Sequence, residues 1–322
     1  MTAPRILLTR RWPTNVEDRL RETYDVVLNK DDVPMTAAQI AEAMREYDAV
    51  CATVSDSLPS ESFGKDLSAK IIGNFGVGVS HIDLDAAKAS GVTVTNTPGC
   101  LTDCTADLAI ALVLMSARRL GEGEREVRSG GWSGWRPTHM MGRSLAGKTL
   151  GIVGMGRIGI ATAWRAQHGF GMDIAYYNRS MVDETKLAGL KATALPTIDE
   201  VIEASDFVSL HCPGGDENRH LLNEARIRSF GPDRFLINTA RGEIVDEAAL
   251  VSALEKGQIG GAALDVYEKE PEVHARLLVN PKVVLLPHLG SATIETREAM
   301  GMMVADNLDA FFAGNEPPHR VL

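Results

Sequence analysis

A chain of 322 residues, 44% apolar and 24% charged, has the make-up of an ordinary globular protein with room for about two domains. Its formal charge of -10 argues against nucleic acid or an anionic membrane as the main partner, because both need a basic face. An acidic chain can still hold an anion in a local pocket of arginine and backbone amides, so acidic substrates are not excluded.

The stretch 1–9 is too short and too weakly apolar for a leader, and the longest apolar run, Leu108 to Ala117, is about half of what a bilayer crossing needs. The expectation is a cytoplasmic protein with no membrane partner. Cys51, Cys100, Cys104 and Cys212 then read as reduced thiols. Only Cys100 and Cys104 are close together, with no histidine or second pair nearby, so no metal site is expected.

In chain order, Arg5 to Thr9, Val26 to Leu28, Ala49 to Ala52, Lys70 to Gly73 and Val92 to Thr95 are short, mostly β-branched runs. Helical patterns separate them, such as Thr36 to Arg45 with Ala37, Ile40, Ala41 and Met44 on one face. Strands alternating with helices predict an α/β fold with a parallel sheet. After the fourth run, Asn74-Phe75-Gly76-Val77-Gly78-Val79 is either a nest of amides suited to a carboxylate or a plain glycine-rich loop. Thr97-Pro98-Gly99 is a candidate hinge, followed by Thr102 or Asp103 as a helix cap. The helix body, Ala106 to Ala117, is apolar nearly all round. It therefore needs cover from its own domain, the other domain or a second subunit. Gly121 to Lys148 is loose and rich in Gly, Arg and Met. Its Trp132 and Trp135 need something to pack on, and a dimer partner is favoured.

The organising stretch is T-L-G-I-V-G-M-G-R-I-G, Thr149 to Gly159. An apolar run enters Gly154, Gly156 and Gly159, and a helix follows. This is the spacing of a dinucleotide-binding turn: a tight bend, a close approach to pyrophosphate, and a close helix contact, with free amides at the helix start. A second strand, Asp173 to Tyr177, leads into Asn178-Arg179-Ser180, where an NAD-binding chain usually carries an acid for the ribose 2′-hydroxyl. Neutral Asn178 with Arg179 and Ser180 instead suits a 2′-phosphate, so NADP(H) is predicted over NAD(H).

Phe207 to Leu210, Arg234 to Asn238, Gly261 to Val266 and Val283 to Leu286 are the remaining predicted strands. Ligands of open α/β sheets sit beyond the carboxyl ends of strands, and Arg241, Glu270 and His288 follow three of these ends. Each alone has a bland explanation; together they suit hydride transfer at a 2-oxo acid. Arg241 would grip the carboxylate, protonated His288 would donate to the carbonyl oxygen, and Glu270 would hold the imidazolium. Asp265 would anchor the nicotinamide amide.

At this point the chain resembles the D-isomer-specific 2-hydroxyacid dehydrogenase family over essentially its whole length. The carriers are V-G-V-S-H-I-D (Val77 to Asp83), L-T-D-C-T-A-D-L-A (Leu101 to Ala109), G-M-G-R-I-G (Gly154 to Gly159), I-N-T-A-R-G (Ile237 to Gly242), L-D-V-Y-E-K-E-P (Leu264 to Pro271) and P-H-L-G-S-A-T (Pro287 to Thr293). G-G-W-S-G-W at Gly130 to Trp135 looks most like the glyoxylate/hydroxypyruvate reductases.

The resemblance implies two Rossmann-like domains with parallel sheets. A discontinuous flavodoxin-like substrate domain (1–98 and 292–322) would be closed by a helix over about Ala292 to Ala313, and would receive an inserted dinucleotide-binding domain (99–291). It implies Glu270, not Glu268, as the partner of His288, and amides of Val77 and Gly78 on the substrate carboxylate. It implies a homodimer whose Trp135 arm reaches the partner's site, and cofactor contacts from Thr105, Met155, Arg157, Ile158, Cys212, Pro213, Thr239, Ala240, His288 and Gly290. The expected reaction is NADPH-dependent reduction of glyoxylate, hydroxypyruvate or a similar small 2-oxo acid. The alternatives are a bulkier 2-hydroxy acid, for which Val54, Met140 and Met141 are candidate liners, or a nucleotide-sensing co-regulator. Two stretches depart from the commoner pattern, Asn178 and the loop Cys212-Pro213-Gly214-Gly215.

Overall fold

The chain, seen here in a computed structural model, is described over residues 3–322, so the first two residues of the stretch read for a leader lie outside the described part. It divides into two compact units, Met1–Leu101 with Ser291–Leu322, and Thr102–Gly290. Among the described residues no helix is long and apolar enough to cross a membrane.

In the first unit, β1 (Arg5–Leu8), β2 (Asp25–Leu28), β3 (Ala49–Cys51), β4 (Ile71–Gly73) and β5 (Thr93–Thr95) form one parallel sheet in the order β2-β1-β3-β4-β5. Successive side chains of a strand point to opposite faces, and here both faces are covered. Leu7, Val50, Ile72 and Val94 pack with Ile40 and Met44 on one side. Ile6, Leu8, Cys51 and Ile71 pack with Val304 and Leu308 on the other. Thr36 and Gln39 form a capping box at the start of the helix Ala37–Glu46, which fixes where that helix begins. The last helix, Ile294–Phe312, belongs to this unit and supplies Met300, Val304 and Leu308 to its core. Gly301 gives it room: a Cβ there would lie 2.6 Å from Val16 Cγ1.

The second unit carries β6 (Thr149–Val153), β7 (Asp173–Tyr177), β8 (Ala192–Ala194), β9 (Phe207–Leu210), β10 (Gly231–Asn238), β11 (Ile259–Leu264) and β12 (Val283–Leu285). All pair in parallel, in the order β12-β11-β10-β9-β6-β7-β8. The chain runs outward from β6 to β8, then returns to β9 and runs the other way. The reversal opens a crevice beyond the carboxyl ends of β6 and β9, where this topology binds ligands.

The structure corrects several expectations about elements. Thr102 and Asp103 are the first residues of the helix Thr102–Arg118, not caps before it. That helix is covered largely by its own unit, with Ile110, Leu112 and Val113 packed among Leu150, Ile152, Ile237 and Ala263. The stretch read as loose after it contains a further helix, Leu120–Arg128. Gly121 and Gly123, each costing about 1 kcal/mol against alanine in a helix, hide it from a propensity reading. Pairing of Arg119 with Glu122 and of Glu124 with Arg128 supports it. β8 escapes a pattern reading because Ala192–Ala194 is a three-residue edge strand with little apolar signal. β10 begins earlier than predicted, and β11 ends at Leu264, so Asp265 stands just beyond the strand. Trp132 and Trp135 are 54% and 82% exposed, with no intrachain core around them.

Candidate active site

The glycine turn shows three different uses of a missing side chain. Gly154 has φ +98°, and a Cβ there would sit 2.5 Å from the Cys212 amide nitrogen, so the turn lies directly against the end of β9. At Gly159 a Cβ would lie 2.3 Å from the Gly154 carbonyl oxygen, which brings the helix Arg157–Phe170 close to the turn. Gly156 has open space where its Cβ would be, and as N-cap it places no side chain over the helix start. Gly156 and Arg157 are exposed there, while Met155 is buried and Ile158 half-buried. First-turn amides without a side-chain cap, beside an open glycine, suit a pyrophosphate. Farther along the same edge the buried Thr239 hydroxyl has no hydrogen-bond partner among the described residues. These residues fit a dinucleotide.

Asn178, just after β7, ties the rim of this crevice. Its Oδ1 accepts from the Met155 amide at 3.0 Å, and its Nδ2 donates to the Ser180 carbonyl at 2.8 Å. Arg179 is exposed and paired with Glu217. Cys212 and Pro213 follow β9, and Gly214 then runs along Arg241: a Cβ on Gly214 would be 2.9 Å from Arg241 Cγ and 2.4 Å from Glu243 Oε1. Glu243 in turn accepts from the Gly215 amide at 2.6 Å. The departure from the commoner loop sequence thus makes room for the Arg241 side chain, a role not visible in the sequence.

Arg241 is aimed by a turn that Asn238 staples. Buried Asn238 accepts from the Ala240 amide at 3.0 Å and donates to the Arg241 carbonyl at 2.9 Å. The guanidinium donates to the Ala240 carbonyl at 2.6 Å and has no carboxylate within ion-pair distance among the described residues. Burial lowers its pKa, while the charges of Glu270 and Glu243 act in the opposite sense. A cation held in this way favours an added anion.

His288 Nδ1 and Glu270 Oε2 are 2.8 Å apart. Burial alone would raise the Glu270 carboxyl. The hydrogen bond and charge of His288, the Tyr267 amide and Arg241 outweigh it, and the group ends below the usual carboxylate range. Glu268 faces elsewhere, accepting from Arg219 at 3.1 Å and His220 at 2.8 Å. His288 has φ +55°, a left-handed conformation that a non-glycine residue holds only when its surroundings enforce it. Asp265 does so. Fully buried, it accepts from the amides of Leu289 at 2.6 Å and Gly290 at 2.8 Å, and its carbonyl accepts from the His288 amide at 2.9 Å. The Asp265 carboxylate holds the loop that carries His288. Thr105, expected at the cofactor, is also buried, and its hydroxyl donates to the Gly290 carbonyl at 2.9 Å.

A second histidine follows β9 at the same edge. Burial pushes His211 down to about 4, and its Nε2 lies 2.9 Å from the Ser209 hydroxyl. It is neutral at pH 7 and unsuited to deliver a proton. Met141 lies at the opposite edge of the sheet, lining a cavity of about 450 Å³ with Pro232, Gly260 and Pro281, so it is remote from His288.

In the first unit the loop after β4 has its carbonyls occupied. Asn74 Nδ2 donates to the carbonyls of Gly76 and Gly78, both at 3.0 Å, and Asn96 Nδ2 to that of Val77 at 2.9 Å. No protein acceptor meets the amides of Val77 and Gly78 among the described residues. A Cβ at Gly76 would strike Val54 Cγ1 at 2.5 Å, so Val54 backs this loop.

The NAD-binding-domain model of the D-isomer-specific 2-hydroxyacid dehydrogenases matches residues 110–290. A glyoxylate reductase from Thermococcus litoralis is 44% identical, over 99% of this chain and 96% of its own. A glycerate dehydrogenase from Hyphomicrobium methylovorum is 39% identical, over 98% of each chain. Among solved structures, an NADPH-dependent glyoxylate/hydroxypyruvate reductase from Sinorhizobium meliloti, in complex with NADP and malonate, is 39% identical with a TM-score of 0.88, covering 99% of this chain and 97% of that one. The parallel sheets, the dinucleotide crevice and these relatives together establish that the chain belongs to the D-isomer-specific 2-hydroxyacid dehydrogenase family, enzymes that use a nicotinamide dinucleotide.

Proposed function

We propose that the protein is an NADPH-preferring reductase of glyoxylate, hydroxypyruvate or a similarly small 2-oxo acid, with Arg241, Glu270 and His288 as its catalytic residues. One observation carries this reading: a partly buried guanidinium, with no carboxylate in ion-pair distance among the described residues, shares a sheet edge with a histidine–carboxylate pair and a dinucleotide turn. Arg241 grips the substrate carboxylate and polarises the adjacent carbonyl through its planar fork. The amides of Val77 and Gly78 are donors that suit a substrate carboxylate. The reduced nicotinamide, when bound, supplies the hydride. His288 donates a proton from Nε2 to the carbonyl oxygen, which becomes the hydroxyl of the product. Glu270, accepting from Nδ1, keeps the ring charged and aimed through the transfer. The experiment is a panel of 2-oxo acids assayed with both reduced cofactors. Turnover of glyoxylate or hydroxypyruvate supports the reading, and dinucleotide binding without turnover on the whole panel points to a sensor.

The preference for NADPH rests on Arg179 and Ser180 standing where an acid would repel a 2′-phosphate. The pairing of Arg179 with Glu217 does not stand in the way. Both side chains are exposed, and such a pair is worth about 0–1 kcal/mol, whereas charge-assisted bonds to phosphate are worth about 1.5–3 kcal/mol. Arg179→Ala is expected to reduce the ratio of kcat/KM for NADPH over NADH by about tenfold to a hundredfold. An unchanged ratio would remove Arg179 from cofactor choice.

The functional form is proposed to be a homodimer. Trp132, Trp135 and Met141 are exposed on one segment of the second unit. Light scattering on the purified protein should give twice the chain mass of 34.7 kDa. A single-chain mass at micromolar concentration would contradict the assignment.

A further inference from the structure

We propose that Tyr267 is a positioning residue that braces the His288–Glu270 pair from both sides, its backbone amide on the carboxylate and its phenol hydroxyl on the segment that leads into the histidine. The proposal deepens the reductase reading and rests on it for its kinetic part.

Tyr267 stands three residues beyond the end of β11, between that strand and Glu270. Its amide donates to Glu270 Oε1 at 3.1 Å, while the other oxygen of the same carboxylate meets His288 Nδ1. Its hydroxyl lies 2.8 Å from the Leu286 carbonyl and 3.3 Å from the Leu264 carbonyl. Leu286 directly follows β12 and is two residues ahead of His288. One residue therefore fixes where the carboxylate sits and how the histidine's loop leaves the sheet. Its backbone also receives the turn beyond Arg241: a Cβ on Gly242 would fall 1.8 Å from the Tyr267 carbonyl carbon, so the two turns are in contact.

The ring is buried, and only the hydroxyl distinguishes this position from one that any aromatic residue fills. Burial pushes the phenol up to about 12, so it remains a donor across the working range of pH. Asp265 and Thr105 hold the far side of the His288 loop, at Leu289 and Gly290. The near side, at Leu286, has the phenol. His288 thus adopts its left-handed backbone between two fixed points.

Tyr267→Phe tests the brace, because it keeps the ring and the amide and deletes one hydroxyl. The expected result is a fall in kcat on the order of tenfold, with KM for the 2-oxo acid and the Kd for NADPH within about twofold, since a small misplacement penalises the transition state more than binding. In proton NMR the downfield resonance of the His288 Nδ1 proton should broaden or disappear. Tyr24→Phe is the control. It removes a buried hydroxyl that donates to Asp309 at 2.6 Å in the first unit, and should lower the melting temperature without moving the His288 Nδ1 resonance.

Wild-type kcat and a wild-type Nδ1 resonance in Tyr267→Phe would overturn the proposal. So would a loss matched in every respect by Tyr24→Phe, which would mark the hydroxyl as merely structural. The two readings fail separately. An inactive wild-type protein would defeat the reductase assignment, while the Nδ1 resonance would still report whether the phenol holds the pair.

Discussion

His288→Ala is expected to lower kcat for 2-oxo acid reduction by about 10²–10⁴-fold while leaving the affinity for NADPH nearly unchanged. In the proposed reaction His288 supplies the proton that reaches the carbonyl oxygen. His211 is held neutral by burial, and the Tyr267 phenol is turned toward backbone carbonyls. The Glu270 carboxyl lies below the usual carboxylate range, so it stays ionised through neutral pH and supports a charged imidazole down to mildly acidic conditions. Stopped-flow measurement of NADPH oxidation, with cofactor binding followed separately by fluorescence, checks the result. Near-wild-type turnover would remove His288 from the chemistry.

Arg241→Lys should cost about tenfold to a hundredfold in kcat/KM for the 2-oxo acid, even though the charge is retained. The position is built around a fork. Asn238 staples the turn, the Ala240 carbonyl accepts one arm of the guanidinium, and Gly214 vacates the space beside the stem. An ammonium on a thinner stem reaches the same region as a point charge. It loses the second parallel hydrogen bond to a carboxylate. Burial adds a further penalty, because lysine gives up its proton more readily than arginine when desolvated. The measurement is steady-state kinetics over a range of substrate concentration. Unchanged saturation would falsify the gripping role.

Much of this architecture is readable from local pattern. β7, Asp173–Tyr177, and β9, Phe207–Leu210, end where the apolar runs end, because buried parallel strands are nearly continuous in apolar residues and their borders are sharp. The glycine turn is readable because each of its three glycines answers a different steric demand, and those demands fix the spacing. Elements that depend on tertiary partners are not. The helix Leu120–Arg128 carries two glycines and has no fully buried residue, so neither propensity nor an apolar core marks it. At the candidate site, the residue types that do chemistry stand out, whereas the supporting groups do not. Thr105 and Asp265 also hold Gly290 and Leu289, a contact 185 residues away in sequence for Thr105 and one that no local pattern announces. Gly214 and Tyr267 give no signal at all, since what matters at each is a neighbour brought in by folding.

The doubly tied Asn178 has a bearing on any attempt to change how this enzyme chooses between NADH and NADPH. The obvious exchange, aspartate for asparagine, keeps an oxygen for the Met155 amide but surrenders the N–H that reaches the Ser180 carbonyl. Two acceptors would then face one another across the bend, and the stretch bearing Arg179 would swing free just as the new charge arrived. A redesigned rim therefore has to supply a replacement donor along with the acid, or it trades selectivity for a slack lip on the crevice.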